Sequence, residues 1–239
     1  MRATGGIYIE ISGKRLYLDP GPGALVHSRK NNIPIEYLDA ILLSHVHQDH
    51  ANDANTMIDA WSEGGKNIKG TLIGSISAID GFEDIEKIVL DYHKDHVNKI
   101  ITMDVNDSIN IGPVHITATK TQHSDPKGIG FTIKGEKTIS YIGDSCYFKG
   151  LEEHHKNSDL LIVNNIFPRE RTDADNKIKY HMDTYGTLKL INKIRPKMVI
   201  LQHFAPTILK IGPEKEARWL EEQTGIKVKA AKDFEIFEF

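Results

Sequence analysis

Short apolar and alternating stretches recur along both halves of the chain, and they predict many short β-strands. Residues 7–11 and 14–18 form two such stretches, and Ser12-Gly13 between them predicts a tight turn. Residues 41–44 form a short apolar run that is typical of a buried strand. Further strands are predicted at residues 71–74, 99–103, 114–119, 130–134, 138–142, 160–164 and 198–202.

Helical patterns alternate irregularly with these strands. Helices are predicted at residues 53–61, 148–156, 183–193 and 214–224. Residues 19–23, Asp-Pro-Gly-Pro-Gly, predict a loop with special backbone angles. Because no linker or repeat divides the pattern, we expect a single domain over residues 1–239 of the α/β or α+β class.

The composition of the chain limits the kinds of metal ligand and partner that it can have. The chain has 239 residues with 12 histidines and a single cysteine, which excludes a disulfide scaffold and points to metal ligands of nitrogen and oxygen. Lys plus Arg number 30 against 33 Asp plus Glu, a net charge of −3, so no overall basic field attracts nucleic acid. Neither a membrane-spanning run of about 18 apolar residues nor a signal-peptide stretch is visible, and we expect a soluble, cytoplasmic protein.

The densest polar cluster follows the predicted strand at residues 41–44. Ser44-His45-Val46-His47-Gln48-Asp49-His50 holds three imidazoles and one carboxylate within six positions. Alternate side chains of an extended segment share a face, so His45 and His47 can reach one metal ion. As the chain enters the next helix, Asp49 and His50 turn toward a second position. A loop of surface histidines is the alternative, and it explains this density poorly.

This His-x-His-x-Asp-His motif resembles that of the metallo-β-lactamase fold hydrolases. Their fold is a four-layer αβ/βα sandwich with a dinuclear metal site. The resemblance extends downstream, where an isolated His123, an Asp144 at a strand end and a His203 after a strand occur in the family's order. The matches span residues 5–206.

The resemblance implies a full set of seven ligands for two divalent ions: His45, His47 and His123 for one; Asp49, His50 and His203 for the other; and Asp144 as a bridge. Zinc is expected, with manganese or iron as alternatives. A water shared by the ions would ionise near neutral pH and act as the nucleophile, with Asp49 orienting it. Two ions, two carboxylates and one hydroxide carry a net charge of about +1, which favours a small anionic substrate.

Two segments favour one branch of the family. His123-Ser124-Asp125-Pro126, leading into a Gly-aromatic strand, is similar to the ribonuclease Z and phosphodiesterase branch. His181 lies 22 residues before His203, where that branch carries a histidine that contacts the phosphate and can protonate the leaving oxygen. Alternatively, His181 is a surface residue before a helix that Asp183 caps.

The chain also departs from ribonuclease Z. Asp144 follows His123 by only 21 positions, which leaves no room for the arm that grips tRNA, although RNA stays open as a partner. Asn164 and Asn165 stand where the branch often has a Glu beside the extra histidine. An Asn can hydrogen-bond a histidine but cannot stabilise an imidazolium as a carboxylate does. The sequence does not fix the oligomeric state, and a homodimer is one option.

Several other polar residues have two interpretations. Asp19 either supports a ligand histidine through a hydrogen bond or belongs to a plain turn. Cys146 is expected as a small buried apolar residue. Four histidines are expected to be solvated on helix surfaces: His93, His96, His154 and His155. Four basic residues are expected in a solvated surface loop, or alternatively as a basic lip near His181: Arg169, Arg171, Lys177 and Lys179.

Three functions remain. The preferred one is a dinuclear metal-dependent hydrolase that acts on a phosphodiester or a related small anionic substrate, with Asp49 and His181 as its catalytic residues. The second applies the same metals to a carboxyl ester, thioester or lactone. The third, a non-catalytic metal-binding module, is disfavoured because a structural site is closed by four protein ligands.

Overall fold

The computed structural model describes residues 2–4, 6–169 and 180–239. Its internal contacts divide the chain into two compact units, Met1–Ile116 and Thr117–Phe239. Strands and helices mix in both units and the strands form two sheets, which confirms the predicted α/β class. The single domain expected over residues 1–239 stays a prediction.

The first unit contains the following elements. Its strands are β1 (Ile7–Ile11), β2 (Lys14–Leu18), β3 (Ala40–Leu43), β4 (Lys69–Ser75), β5 (Val97–Met103), β6 (Ser108–Ile111) and the first residues of β7 (Val114–Lys120). Its helices are α1 (Ala24–Lys30), α2 (Gln48–Ala51), α3 (Ala54–Ser62), α4 (Ile76–Ile79) and α5 (Asp91–Lys94).

Five strands of this unit form a sheet in the order β1-β2-β3-β4-β5. β1 and β2 form an antiparallel hairpin, and its turn residues Ser12 and Gly13 have φ of 47° and 72°, as a two-residue hairpin turn requires. From β2 to β5 the strands are parallel, so their carboxyl ends meet at one edge. Asp19 follows β2 at that edge and Ser44 follows β3.

Helix α3 closes the core of the first unit. Met57, Ile58 and Trp61 are buried together with Ile41 and Leu43 of β3. The Trp61 indole Nε1 donates a hydrogen bond of 2.9 Å to the carbonyl of Leu38, which satisfies its polar atom inside the core. This packing holds the end of β3, where the histidine motif begins.

The second unit contains the remaining elements. Its strands after β7 are β8 (Ile129–Lys134), β9 (Thr138–Tyr141), β10 (Leu160–Phe167), β11 (Met182–Asp183), β12 (Met198–Gln202) and β13 (Lys227–Ala230). Its helices are α6 (Thr184–Ile194), α7 (Pro206–Ile211) and α8 (Pro213–Thr224).

The central strands of this unit are parallel. Its sheet has the order β13-β12-β10-β9-β8-β7, and β9, β10, β12 and β13 run in the same direction. Apolar residues of β10 and β12 pack with Leu190 of α6 and Leu220 of α8 in one buried cluster. Because parallel strands end at a common edge, the residues after β9 and β12, Asp144 and His203, are brought to the same side.

Some element predictions were wrong. The helix predicted at residues 148–156 is only a 3₁₀ turn, Leu151–His155, because Gly150 has a φ of 96° and interrupts helical geometry just before it. The strand predicted at residues 160–164 is confirmed and continues to Phe167. No helix in the described part of the chain is both long and apolar enough to cross a membrane.

Candidate metal centre

Asp19 gathers the polar groups of the first unit. Its Oδ1 accepts a hydrogen bond of 2.7 Å from the Ser44 backbone N–H. Its Oδ2 accepts one of 2.6 Å from Ser44 Oγ and another of 3.0 Å from His50 Nδ1. The residue is only 3% exposed. Asp19 is therefore hydrogen-bonded to a histidine of the motif, as expected, and the role of that histidine as a metal ligand stays a prediction.

These hydrogen bonds also fix the protonated nitrogen of two histidines. The single hydroxyl proton of Ser44 is donated to Asp19, so in the 2.9 Å contact between Ser44 Oγ and His45 Nδ1 the ring nitrogen is the donor. His50 Nδ1 likewise donates to the Asp19 carboxylate. In the neutral form of both residues Nε2 then carries the lone pair, which is the form that a metal ion requires.

The other members of the motif lie close by. The ring centroids of His45 and His47 are 4.8 Å apart, and those of His45 and His50 are 4.3 Å apart. Helix α2 begins directly after His47, as the predicted turn into a helix requires, and it redirects the two residues that follow Gln48. Asp49 Oδ2 lies 3.7 Å from His50 Nε2, and the Asp49 side chain is nearly half exposed.

In the second unit three histidines face one carboxylate oxygen. Asp144 Oδ2 lies 3.5 Å from His181 Nδ1, 3.8 Å from His203 Nε2 and 4.0 Å from His123 Nε2. His123 and Asp144 are buried. The Nδ1 of His123 lies 3.1 Å from the Tyr180 carbonyl, an acceptor only, so Nδ1 is the donor and in the neutral ring Nε2 carries the lone pair.

The two asparagines do not replace the branch's glutamate. Asn164 donates to Asp144 Oδ1 over 2.6 Å and to the Tyr141 hydroxyl over 3.1 Å. Asn165 hydrogen-bonds Thr184 and Thr187 instead. The carboxylate beside His181 is therefore Asp144 itself.

Sequence reasoning gave no role to Ser44 or Gln202. Ser44 connects Asp19 with His45, and Gln202 Nε2 donates to Asn164 Oδ1 over 2.8 Å. Their position next to His45 and His203 was the available signal, because residues flanking a ligand at a strand end share its edge of the sheet.

Other polar candidates have structural roles. Asp183 caps helix α6, since its Oδ1 accepts a 2.6 Å hydrogen bond from the Gly186 N–H, which confirms the capping interpretation. The Arg169 guanidinium lies 4.9 Å from the Trp219 ring and near Glu216, so it is held against α8 rather than being a solvated loop residue. Arg171, Lys177 and Lys179 lie outside the described residues.

The expectation of solvated surface histidines was wrong at two positions. His93 is largely buried, and its Nε2 lies 3.3 Å from Asp59 Oδ2. His155 is fully buried, and burial lowers its pKa to about 3. Cys146 is intermediate in exposure rather than fully buried, and burial raises the pKa of its thiol.

These donors suit divalent metal ions. Each unit supplies a group of imidazole and carboxylate atoms that lie within 4.8 Å of one another, Asp19, His45 and His50 in the first and His123, Asp144 and His181 in the second. Within the first group, Asp19 already accepts three hydrogen bonds and supports the histidines. Imidazole nitrogen and carboxylate oxygen together fit zinc and similar ions.

The fold and these residues define the class of metal-dependent hydrolases with the metallo-β-lactamase fold. The chain belongs to the beta-lactamase superfamily, whose domain model matches residues 14–204. It is 32% identical over 232 residues to the uncharacterized protein MJ1374 of Methanocaldococcus jannaschii, covering 95% of this chain and 84% of that protein.

Further relatives and solved structures agree with this class. The chain is 28% identical to the probable metallo-hydrolase YhfI of Bacillus subtilis (90% of this chain, 86% of that protein). It is 24% identical to ribonuclease Z of Borreliella burgdorferi (85% and 81%). The crystal structure of YhfI matches with a TM-score of 0.80 at 22% identity, over 99% of this chain and 92% of that one. A diphosphatase from the PhnP family matches with a TM-score of 0.69 at 15% identity, over 98% and 83%.

Proposed function

We propose that this hydrolase uses two metal ions to cleave a phosphodiester or a related small anionic substrate. His181 is the observation that carries the proposal. Its Nδ1 lies 3.5 Å from Asp144 Oδ2, its side chain is 29% exposed, and its ring centroid lies 4.9 Å from that of His123. A histidine that faces a buried carboxylate and keeps an open side is suited to contact substrate.

The proposed ligands are those of the motif and its downstream partners: His45, His47 and His123 for one ion; Asp49, His50 and His203 for the other; and Asp144 for both. The lone pairs at Nε2 of His45, His50 and His123 support this assignment. We propose zinc, with manganese or iron as alternatives. When bound, such ions supply positive charge and lower the pKa of a bound water to about 7.

His181 is proposed as the general acid. His181 Nδ1 faces Asp144 Oδ2 at 3.5 Å, so Nε2 is the nitrogen available to the substrate. The second nitrogen, Nε2, then presents its proton to the leaving oxygen, a contribution of typically 10²–10⁴-fold to the rate. Asp49, next to the ligand His50 and nearly half exposed, is proposed to orient the attacking water.

The relatives support a phosphorus-centred substrate of modest size. Ribonuclease Z and the PhnP-family diphosphatase are both named for cleavage at phosphorus. Between His123 and Asp144, a fully described segment, the chain forms only β8 and β9. That segment holds no tRNA-gripping arm, so a small anionic substrate is favoured over tRNA.

The test compares leaving groups. Metal-loaded protein is assayed on bis(p-nitrophenyl) phosphate and on a phosphodiester with an alkyl leaving group, in the wild type and in His181→Ala. A p-nitrophenolate leaves without a proton, whereas an alkoxide needs one. We therefore expect a small effect on the first substrate and a loss of about 10²–10⁴-fold in kcat on the second.

His115→Ala is the matched control, because His115 is an exposed strand residue that pairs with Asn110. It should leave both rates unchanged. Parallel assays on a thioester and a lactone test the carbonyl alternative. Turnover of these substrates without phosphodiesterase activity, and without an effect of His181→Ala, would overturn the proposal in favour of that alternative.

A further inference from the structure

One oxygen of Asp144 is held apart from the histidines by an amide. Asp144 Oδ2 faces His123, His181 and His203, whereas Oδ1 accepts a 2.6 Å hydrogen bond from Asn164 Nδ2. Asn164 is 1% exposed, so water does not compete for this bond. The carboxylate therefore has one oxygen fixed in the protein and one directed to the histidines.

The orientation of the amide is itself fixed. Asn164 Oδ1 accepts a 2.8 Å hydrogen bond from Gln202 Nε2, and Asn164 Nδ2 also donates to the Tyr141 hydroxyl over 3.1 Å. A flipped amide would place its oxygen against the Asp144 carboxylate and its NH₂ against the NH₂ of Gln202. Both contacts are repulsive, so the Asp144 carboxylate and the Gln202 NH₂ together select the orientation in which Asn164 donates to Asp144.

Strand register brings these groups together. In the parallel pairing of β10 with β12, Asn164 lies opposite Gln202. In the pairing of β10 with β9, Ile162 lies opposite Tyr141. Tyr141 and Gln202 are the last residues of β9 and β12, so Asp144 and His203 follow closely.

We infer that Asn164, oriented by Gln202, is a positioning residue that holds Asp144 so that Oδ2 serves as the metal-directed oxygen. This inference rests on the proposed metal ligation by Asp144. An amide suits this task better than a carboxylate would, because a second carboxylate at the 2.6 Å distance of Asn164 from Asp144 would repel it.

The test measures metal release. Asn164→Leu removes the donor at nearly constant size, and Gln202→Leu frees the amide to flip. Zinc-loaded proteins are mixed with a coloured chelator, and the release rate is followed without substrate. We expect release at least about 10-fold faster in Asn164→Leu and a smaller increase in Gln202→Leu. The visible spectrum of the cobalt(II)-loaded protein should change in both variants.

Asn165→Leu is the matched control. Asn165 is equally buried and hydrogen-bonded, but to Thr184 and Thr187. It should lower the melting temperature while leaving zinc release and the cobalt spectrum unchanged. Equal release rates in the Asn164 and Asn165 variants would overturn the inference. If Asn164→Leu does not fold, the inference is overturned by a zinc release rate in Gln202→Leu that equals that of the wild type.

The experiment separates this inference from the proposed substrate. Faster zinc release in Asn164→Leu from a protein that does not cleave phosphodiesters would reject the substrate and keep the positioning role. Wild-type protein that retains no metal would overturn both.

Discussion

Among single residues, His155 is a buried titratable group that lies 11 residues after Asp144 in the sequence. It is fully buried, and neither ring nitrogen has a hydrogen-bond partner among the described residues. Burial therefore lowers its pKa to about 3 from an ordinary value of 6.5. The folded protein keeps this imidazole neutral at any pH where the protein is expected to work.

This depressed pKa predicts a loss of stability in acid. Above pH 6.5 the residue is neutral in both states. As the pH falls from 6.5 toward 3, only the unfolded chain takes up the proton, so the free energy of unfolding decreases by about 1.4 kcal/mol per pH unit. From pH 7 to pH 5 the decrease is roughly 2 kcal/mol.

The measurement is urea unfolding at pH 7 and pH 5 in the presence of a chelator. His155→Leu should remove that part of the pH dependence, because leucine does not titrate. His154→Leu, a change at the less buried neighbour, should retain it. The same pH dependence in wild type and His155→Leu would contradict the burial effect.

At the scale of elements, the approach of β8 to the end of β9 depends on Gly130. A Cβ at this position would lie 2.6 Å from the carbonyl oxygens of Tyr141 and Ile142 and from Thr119 Oγ1. Backbone atoms cannot move aside as a flexible side chain can. Ile142 and Gly143 lead directly into Asp144, so this close contact sets the backbone position from which the Asp144 side chain extends.

Gly130→Ala is therefore expected to affect both stability and metal content. The overpacked contact should cost about 1–3 kcal/mol, and the displaced end of β9 should reduce the zinc retained per chain. Gly13→Ala provides a control, because its Cβ would meet nothing within 4 Å although its φ of 72° is also unfavourable. That variant should lose stability but keep its zinc, and full zinc content in Gly130→Ala would contradict the argument.

The elements that sequence patterns predicted best are the strands. The hairpin at residues 7–18 and the strand Met198–Gln202 follow from apolar residues bounded by turn residues. Helix α1 was missed because the two prolines and two glycines before it predict only a loop. The contact between Asn164 and Asp144 could not be predicted, since it depends on which strands pair and in which register.

For the whole molecule, we expect metal binding to be coupled to folding. The superfamily match over residues 14–204 includes all the proposed ligands. Ions bound only by the native chain stabilise it by about 2.7 kcal/mol at a free concentration of 100 times Kd. For a chain of this length that amounts to a rise of roughly 5–10 °C in Tm.

Chelation is expected to reverse this stabilisation. Dialysis against a chelator at pH 7.5 should lower Tm by that amount, and added zinc should restore it. Calorimetry of the dialysed and reloaded protein provides the measurement, with metal content determined on the same samples. An unchanged melting temperature on removal of bound metal would contradict the coupling.

The left-handed backbone at Asp19 and His203 restricts which residue types these two positions can accept. Their φ values are 51° and 59°, a region that asparagine, aspartate and histidine enter more readily than other side chains, apart from glycine. Asparagine at position 19 would keep the backbone but lacks the second acceptor oxygen, and glycine would lose the acceptor altogether. At each position one side chain must both tolerate a positive φ and supply the required polar atoms. A saturation library selected for metal-dependent folding should therefore return almost only the present residues at these two positions.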